Sequence, residues 1–480
     1  MPLDELIGSG DMDEGRSRAL LLFRETAAEV PAYHAFLKEN HVDPKAIVSF
    51  ADLQKVPPVT KKNYVLRYPL KDLCRNGDLA GQEMVAVSSG STGKPTFWLR
   101  SLKDELGVAV RFEQIFHDSF KAQSRSTLAI ICFALGTWVG GMYTANCCRH
   151  LAAKGYPITV VTPGNNKEEI YRVMQDLAPL YEQVVLLGYP PFVKDVIDTG
   201  IQRGIAWNHH RIRMVFAGEV FSEEWRTLLG ERVGIDDTCS GSASLYGTAD
   251  AGVLGNETPT SIGVRRFLAS RPDAARQLFG ESRLPTLVQY DPCHRFFEAQ
   301  DGRLLFSGDN GIPLVRYNIL DTGGVLGYSE MMRFLADHGF DPPQPSMPAN
   351  GRPLPFAWVF GRSDFTVSYF GANVYPENVA VGLEQPDIQT WVTGKFVLQV
   401  VEGDDANSVL SLVVEMAPGM ESGEERRRRI EESVLEQLLR LNSEFANYVS
   451  AEYRRVSVRL LPTGDPEYFP AGVKHRYTRR

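Results

Sequence analysis

The sequence predicts an α/β protein. A large amino-terminal domain carries parallel strands, then a small antiparallel sheet or barrel, and a small α+β domain closes the chain. Three observations predict this. Apolar, β-branched runs start at Thr127, Pro157, Gln183 and Arg213, spaced by 30, 26 and 30 residues with helix-like segments between them. From about residue 284 the runs shorten and lose their helices. After Gly361 a fresh alternation of strands and one long helix begins.

Each element follows from its pattern. The four runs, 127–133, 157–162, 183–188 and 213–218, are almost continuously apolar, as burial on both faces requires. Strand, helix, strand at this spacing reads as βαβ crossovers in a parallel sheet, with helices packed over it. Between two of them, residues 167–180 place Ile170, Val173, Met174 and Leu177 on one helical face. The later runs LPTLVQY, RFFEAQ, RLLFSG and PLVRY are short strands, and Asp301-Gly302 marks a hairpin turn between two of them. Six prolines in 342–355 predict an irregular surface excursion. Strands are then expected at 396–402, 408–416 and 453–461, with a helix from Ser422 to Leu441. The expected domains are 1–361 and 365–480, with a hinge near Asp364.

Composition narrows the function. The 480 residues include 51 Lys and Arg against 59 Asp and Glu, a net charge of −8. That balance argues against nucleic acid held by phosphate neutralisation. The six cysteines, at 74, 132, 147, 148, 239 and 293, form no C-x-x-C and fit reduced, packed thiols. The acidic amino terminus has no apolar h-region, and no apolar run approaches 18 residues. A cytoplasmic protein with no membrane partner is expected. Arg426–Arg429 reads as the solvated face of the long helix, opposite Ile430, Val434, Leu435 and Leu438.

The most chemical stretch is SSGSTGKP, Ser88 to Pro95. Freed backbone N–H groups, four hydroxyls and the Lys94 ammonium suit polyphosphate oxygens. It is not a Walker A loop, because two residues rather than four separate the glycines and Pro95 follows the lysine. An ordinary Gly/Ser turn is the plain alternative. His209-His210 lacks a third ligand at useful spacing. Cys293-His294, read as strand residues, point to opposite faces and make no nucleophile–base pair.

SSGSTGKP resembles the signature loop of the adenylate-forming ligases, and further segments follow in that family's order. Ala217-Gly218-Glu219 is similar to its adenine-side loop, and Tyr246-Gly247-Thr248-Ala249-Asp250 to its Tyr-Gly-x-Thr-Glu stretch. Arg316-Tyr317 through Asp321 resembles the ribose-binding segment. Gly361-Arg362-Ser363-Asp364 resembles the hinge, and Gly371–Pro376 the loop after it. Val30–Tyr33, Phe50–Lys62 with VPPVTKK, and FALGTWVGG (Phe133–Gly141) resemble the phenylacetate–CoA ligase branch.

The resemblance implies ATP, Mg2+ and CoA as cofactors and an acid–thiol ligase activity through an acyl-adenylate. It assigns Ser88, Ser89, Gly90, Ser91, Thr92, Gly93 and Lys94 to the phosphates. Gly218, Glu219, Tyr246, Gly247, Thr248 and Gly371 go to the nucleotide, Asp321 and Arg362 to the ribose, and Asp250 to Mg2+. Lys474 serves adenylation and Asp364 is the pivot of a mobile lid. Phe133, Trp138, Tyr143, Phe216, Ala243 and Ser244 are candidate walls for a small aryl or arylacetic acid. No aspartate in FALGTWVGG stands ready for an α-ammonium. Positive charge for the polyanions is expected at Lys94, Arg316, Arg362 and the tail VKHRYTRR. A homodimer is expected from the resemblance alone.

Two departures qualify this. Ala249 and Asp250 stand where the family has Thr and Glu, and the spacing after Lys474 is shortened. Transfer to a carrier-protein thiol or an amine, and a non-catalytic homologue, are the alternative readings.

Overall fold

The computed structural model describes the chain except residues 88–95, 137–138, 219, 282–283, 341–350, 363–366, 371, 403–407, 443–444, 447–448, 450, 471–474 and 480. The side chains of 139, 191, 362, 368, 373, 402, 408 and 452 are also outside the description. The apolar runs become the strands Thr127–Ile131, Ile158–Val161, Gln183–Gly188 and Ile212–Ala217, joined by Ser242–Thr248. Their spatial order is 158, 127, 183, 212, 242, all parallel. The chain thus runs outward once from the strand at 127, then back past it. That reversal creates a crevice at the carboxyl ends of the strands between 127–131 and 183–188.

The antiparallel strands expected after residue 284 are present, and they continue the same sheet edge to edge. Gly252–Asn256 pairs antiparallel with Ser242–Thr248, followed by Thr286–Gln289, Phe356–Arg362, Leu314–Leu326, Arg303–Gly308 and Arg295–Gln300. The hairpin at Asp301-Gly302 forms as its composition dictates, with φ +51° and +71°, the left-handed pair that a twisted two-residue turn needs. A separate hairpin, Met84–Val87 with Phe97–Arg100, carries the 88–95 segment between its strands.

Two aliphatic layers sandwich the parallel strands. Leu128, Ile130, Val184, Leu186, Met214 and Phe216 face one layer, and Ala129, Ile131, Val185, Leu187, Val215 and Ala243 the other. Every one of these is at most 1 % exposed. Each large side chain so buried contributes roughly 1.5–3 kcal/mol relative to exposure.

Residues beyond 366 have their own core. Val392–Glu402, Ser408–Met416 and Val456–Leu461 form a three-stranded sheet, backed by the helices Pro376–Leu383 and Glu424–Leu441. Ile430, Val434 and Leu438 are fully buried there, as the helical spacing requires. The arginine run faces solvent, where Arg427 and Arg428 pair with Glu424, and Arg429 with Asp387.

Three expectations are corrected. The helix from Lys167 ends at Asp176, followed by a 3-10 turn at Ala178–Leu180, and Leu177 is 37 % exposed rather than on the apolar face. Pro179 has no N–H to continue the ladder. The proline-rich stretch is only partly a surface excursion. Residues 341–350 lie outside the description, but Leu354 is fully buried and Arg352 bonds Asp118. Cys293-His294 lies in a turn, not a strand. His294 Nδ1 meets Asp291 Oδ2 at 2.9 Å, and burial pushes the Cys293 thiol up to about 12, so it is no nucleophile.

Candidate active site

The described site residues gather at the carboxyl ends of the parallel strands, beside the point where antiparallel pairing takes over. Most are delivered by a strand or the turn after it, and Tyr143 by the helix Val139–Ala153. Phe133 leaves the strand at 127, and Tyr189 leaves the strand at 183. Their rings meet edge to face with centroids 4.9 Å apart, across the reversal point. Gly218 follows the strand at 212 with φ +88°, and a Cβ there would stand 2.8 Å from the Tyr189 ring. Only glycine lets that loop turn away so close to an aromatic.

Tyr246, Gly247 and Thr248 end the strand at 242, and Ala249 and Asp250 form the turn into Gly252–Asn256. Thr248 Oγ1 accepts a hydrogen bond from the Ala251 N–H at 3.2 Å, which shapes this turn. Arg100, 2 % exposed, reaches it from the strand that leaves the 88–95 segment. Its guanidinium donates to the carbonyls of both Ala249 and Asp250. The open end of the hairpin that carries the 88–95 segment is therefore tied to the turn bearing the metal candidate.

Two tyrosine–aspartate bonds link the strand at 242 and the turn after it to the strand Leu314–Leu326, with three strands between them in the sheet order. Tyr246, from the strand at 242, donates its hydroxyl to Asp321 Oδ2 at 2.7 Å. Tyr317, on the same strand as Asp321, donates its hydroxyl to Asp250 Oδ2 at 2.5 Å. Burial first, and the Asp321 carboxylate second, hold the Tyr246 phenol well above its ordinary value. It remains a protonated donor through neutral pH. Asp321 also stands opposite Arg362 in the antiparallel register, with Thr322 Oγ1 donating to the Gly361 carbonyl at 3.1 Å. Asp250, Asp321 and the Arg362 backbone are thus brought together.

The acid-pocket candidates divide. Phe133, Tyr143 and Ala243 share one layer of the sheet, and Arg100 lies 6.0 Å over the Tyr143 ring. Phe216 does not join them. Strand alternation turns it to the other face, where it packs on Phe221 and Trp225. Ser244 pairs with Phe216 in register and is buried beside it, its N–H donating to Glu257 Oε2.

Arg316 is also corrected as a cation for the polyanions. It is 2 % exposed and spends its guanidinium on Glu298, Gln300 and the Val56 carbonyl. In the basic tail, Arg479 is engaged with Glu467 and lies over Tyr468.

Ser88–Lys94, Trp138, Glu219, Asp364, Gly371, Lys474 and the Arg362 side chain fall outside the described residues. The chain on either side of Lys474 is anchored: Phe469 packs on Val397 and Val413, and His475 Nε2 meets the Phe396 carbonyl oxygen at 2.7 Å. Sequence reading missed Arg100, Tyr189 and the donor role of Tyr317. Tyr317 stood inside a quoted segment; the other two carry no local signal.

Among the described residues, no group of three or more His, Cys, Asp or Glu can hold a metal ion. None of the described helices is long and apolar enough to cross a membrane.

No family model matches the chain. It is 23 % identical over 361 residues to the phenylacetate–coenzyme A ligase of Aromatoleum evansii, covering 74 % of this chain and 71 % of that one. It is 24 % identical over 364 residues to the phenylacetate–coenzyme A ligase of Thermus thermophilus, covering 75 % and 72 %. Among solved structures, 2-hydroxyisobutyryl-CoA ligase in its postadenylation state with R3-HIB-AMP superposes with a TM-score of 0.66. That overlay has 14 % identity and spans 97 % of this chain and 87 % of the other. That last likeness is one of fold.

Proposed function

We infer that this chain, a phenylacetate–CoA ligase-like member of the adenylate-forming ligases, activates a carboxylic acid with ATP and passes the acyl group to CoA. The observation that carries the reading is the crossed pair of tyrosine–aspartate bonds, which holds Asp250 and Asp321 together at the strand ends.

A carboxylate is a poor acyl donor because its leaving group would be oxide. Attack on the α-phosphate of ATP yields an acyl-adenylate and pyrophosphate, and AMP is then a good leaving group for thiol attack. Two anions must meet in the first step, so fixed donors and cations carry the catalysis. In our reading Ser88–Lys94 hold the phosphates, while Gly218, Glu219 and the Tyr246–Thr248 strand end border the base. Asp321 and Arg362 hold the ribose hydroxyls.

Asp250 fits a Mg2+ ligand. Mg2+ is commonly bound through one or two carboxylates plus substrate phosphates, and the backbone behind this carboxylate is fixed by Arg100. The ion supplies charge neutralisation at the phosphates when bound.

Lys474 approaches the α-phosphate during adenylation. Residues 365–480 then turn about Asp364 and withdraw it, which brings the loop at Gly371 to the thiol. The acid we propose is aryl or arylacetic; the aromatic side chains Phe133, Tyr143 and Tyr189 packed in this layer support this.

The test is pyrophosphate release across a panel of acids, with and without CoA. Phenylacetate and substituted benzoates should outperform octanoate, with acyl-CoA formed only when CoA is present. Octanoate ahead of the aryl acids sinks the substrate assignment, and CoA-independent product points to another acceptor. Lys474→Ala should abolish pyrophosphate release while thioester formation from supplied acyl-adenylate survives.

A further inference from the structure

Two charged side chains with buried head groups sit where residues beyond 366 meet the body, and the chemistry above uses neither. Lys194 lies on the helix Pro190–Gln202 and is 2 % exposed. Its ammonium donates to Asp198 Oδ2 at 2.8 Å, one turn along its own helix. Its other described partner is the Val392 carbonyl, 3.1 Å away, at the start of a strand of the carboxyl-terminal sheet. Asp198 is in turn paired with Arg232. A buried ammonium needs its acceptors. If the carboxyl-terminal unit moves away, Lys194 loses one of them.

The second contact is Glu384, which follows the helix Pro376–Leu383. Its Oε2 is buried with no hydrogen-bond partner. The Ser222 hydroxyl and amide lie against the carboxyl; Ser222 caps the helix Glu223–Val233, just beyond the adenine-side loop. The charged groups facing it are Glu224, which opposes ionisation, and Arg265, which favours it. Arg265 is shared with Glu223, which Arg226 and Arg266 also bind.

We propose that Lys194 and Glu384 are positioning residues that seat the carboxyl-terminal unit on the body and set the balance between the two half-reactions; this rests on the ligase reading above. Lys194 favours the seated arrangement through Val392, against the burial that lowers its ammonium from the ordinary value. Glu384 opposes it when ionised and permits it when protonated.

Burial pushes the Glu384 carboxyl from its ordinary 4.5 up to about 7 in the seated arrangement. Seating is therefore strongest below the ordinary value, weakens as pH rises between the two values, and levels off above the higher one. Between pH 6 and pH 8 the change should be about tenfold.

The test compares the wild type, Lys194→Met and Glu384→Gln at both pH values. One arm measures pyrophosphate release from ATP and phenylacetate. A second measures thioester formation from synthetic phenylacetyl-adenylate and CoA. Hydrogen exchange over 190–202 and 384–396, corrected for its intrinsic pH dependence, reads the seating itself.

At pH 8 the ratio of the two half-reactions should shift by at least about fivefold in opposite directions in the two variants. Exchange should rise in Lys194→Met and fall in Glu384→Gln, and the pH dependence should vanish in Glu384→Gln. Unchanged ratios and unchanged exchange overturn the proposal, as do shifts in the same direction. A pH-dependent exchange response in a wild type that performs neither half-reaction overturns the ligase reading instead, and leaves the seating contact standing.

Discussion

Two sets of carboxylates in the body are held by different chemistry. At the strand ends, Asp250 and Asp321 each receive a tyrosine hydroxyl. About the helix Glu223–Val233, Glu223 and Glu257 receive guanidinium groups: Arg226 is fully buried between them, at 2.9 Å from Glu223 and 2.7 Å from Glu257, and Arg265 adds a second cation. A neutral hydroxyl donor orients a carboxylate without cancelling its charge. A guanidinium at contact distance cancels the charge and makes the group part of the framework. Burial differs as well: Asp250 is half-buried, whereas Asp321, Glu223 and Glu257 are buried.

The largest effect should come from breaking the framework set. Arg226→Met leaves two carboxylates buried with fewer cations and removes the bond to the Ser242 hydroxyl. Loss of one partner of a buried pair costs about 3–5 kcal/mol, read as a fall in the unfolding free energy by urea titration. A loss under about 1 kcal/mol would show that Arg265 and Arg266 suffice, and would weaken the contrast.

The crevice set should respond in the opposite sense. Asp250→Asn on a half-exposed turn should leave the urea midpoint near that of the parent. It should lower acid-dependent ATP–pyrophosphate exchange by roughly 100-fold or more, the scale of losing one fixed charge partner in a transition state. Exchange at parental rates would remove Asp250 from the phosphate chemistry.

Tyr317→Phe separates aim from charge. It keeps the Asp250 carboxylate and the ring, and removes only the hydroxyl that points the carboxylate. A hydrogen bond to a charged group is worth about 1.5 kcal/mol at the low end, so exchange should fall roughly tenfold. A fall as deep as that of Asp250→Asn would mean that the hydroxyl does more than orient its neighbour.

How much of this was legible follows from range along the chain. The parallel strands could be read because burial on both faces leaves continuous apolar runs, and the hairpin at 301–302 because its two φ values demand those two residues. The helix at 424 announced itself by three apolar residues four apart. Phe216 was misjudged although alternation within its own strand decides the matter: Val215 and Ala217 face the layer of Phe133, so Phe216 cannot. The tyrosine–aspartate bonds span 75 and 67 residues, and Arg100 reaches its carbonyls across 149 and 150. No local pattern encodes such pairings. Arg316 shows the converse: a basic residue inside a recognised segment looks like a phosphate ligand until the fold turns it onto Glu298.

The smallest effect tests whether burial makes the arginine–glutamate pairs of the framework matter. Arg428 and Glu424 form the same kind of pair, 3.0 Å apart and one turn apart on the long helix, with both side chains more than half exposed. Water already solvates each charge, and holding two long side chains together costs rotamer freedom that offsets the attraction. Arg428→Ala should therefore leave the urea midpoint indistinguishable from that of the parent. A clear drop would mean that the pair's chemistry, rather than its desolvation, sets the cost, and the large loss expected for Arg226→Met would then need another explanation.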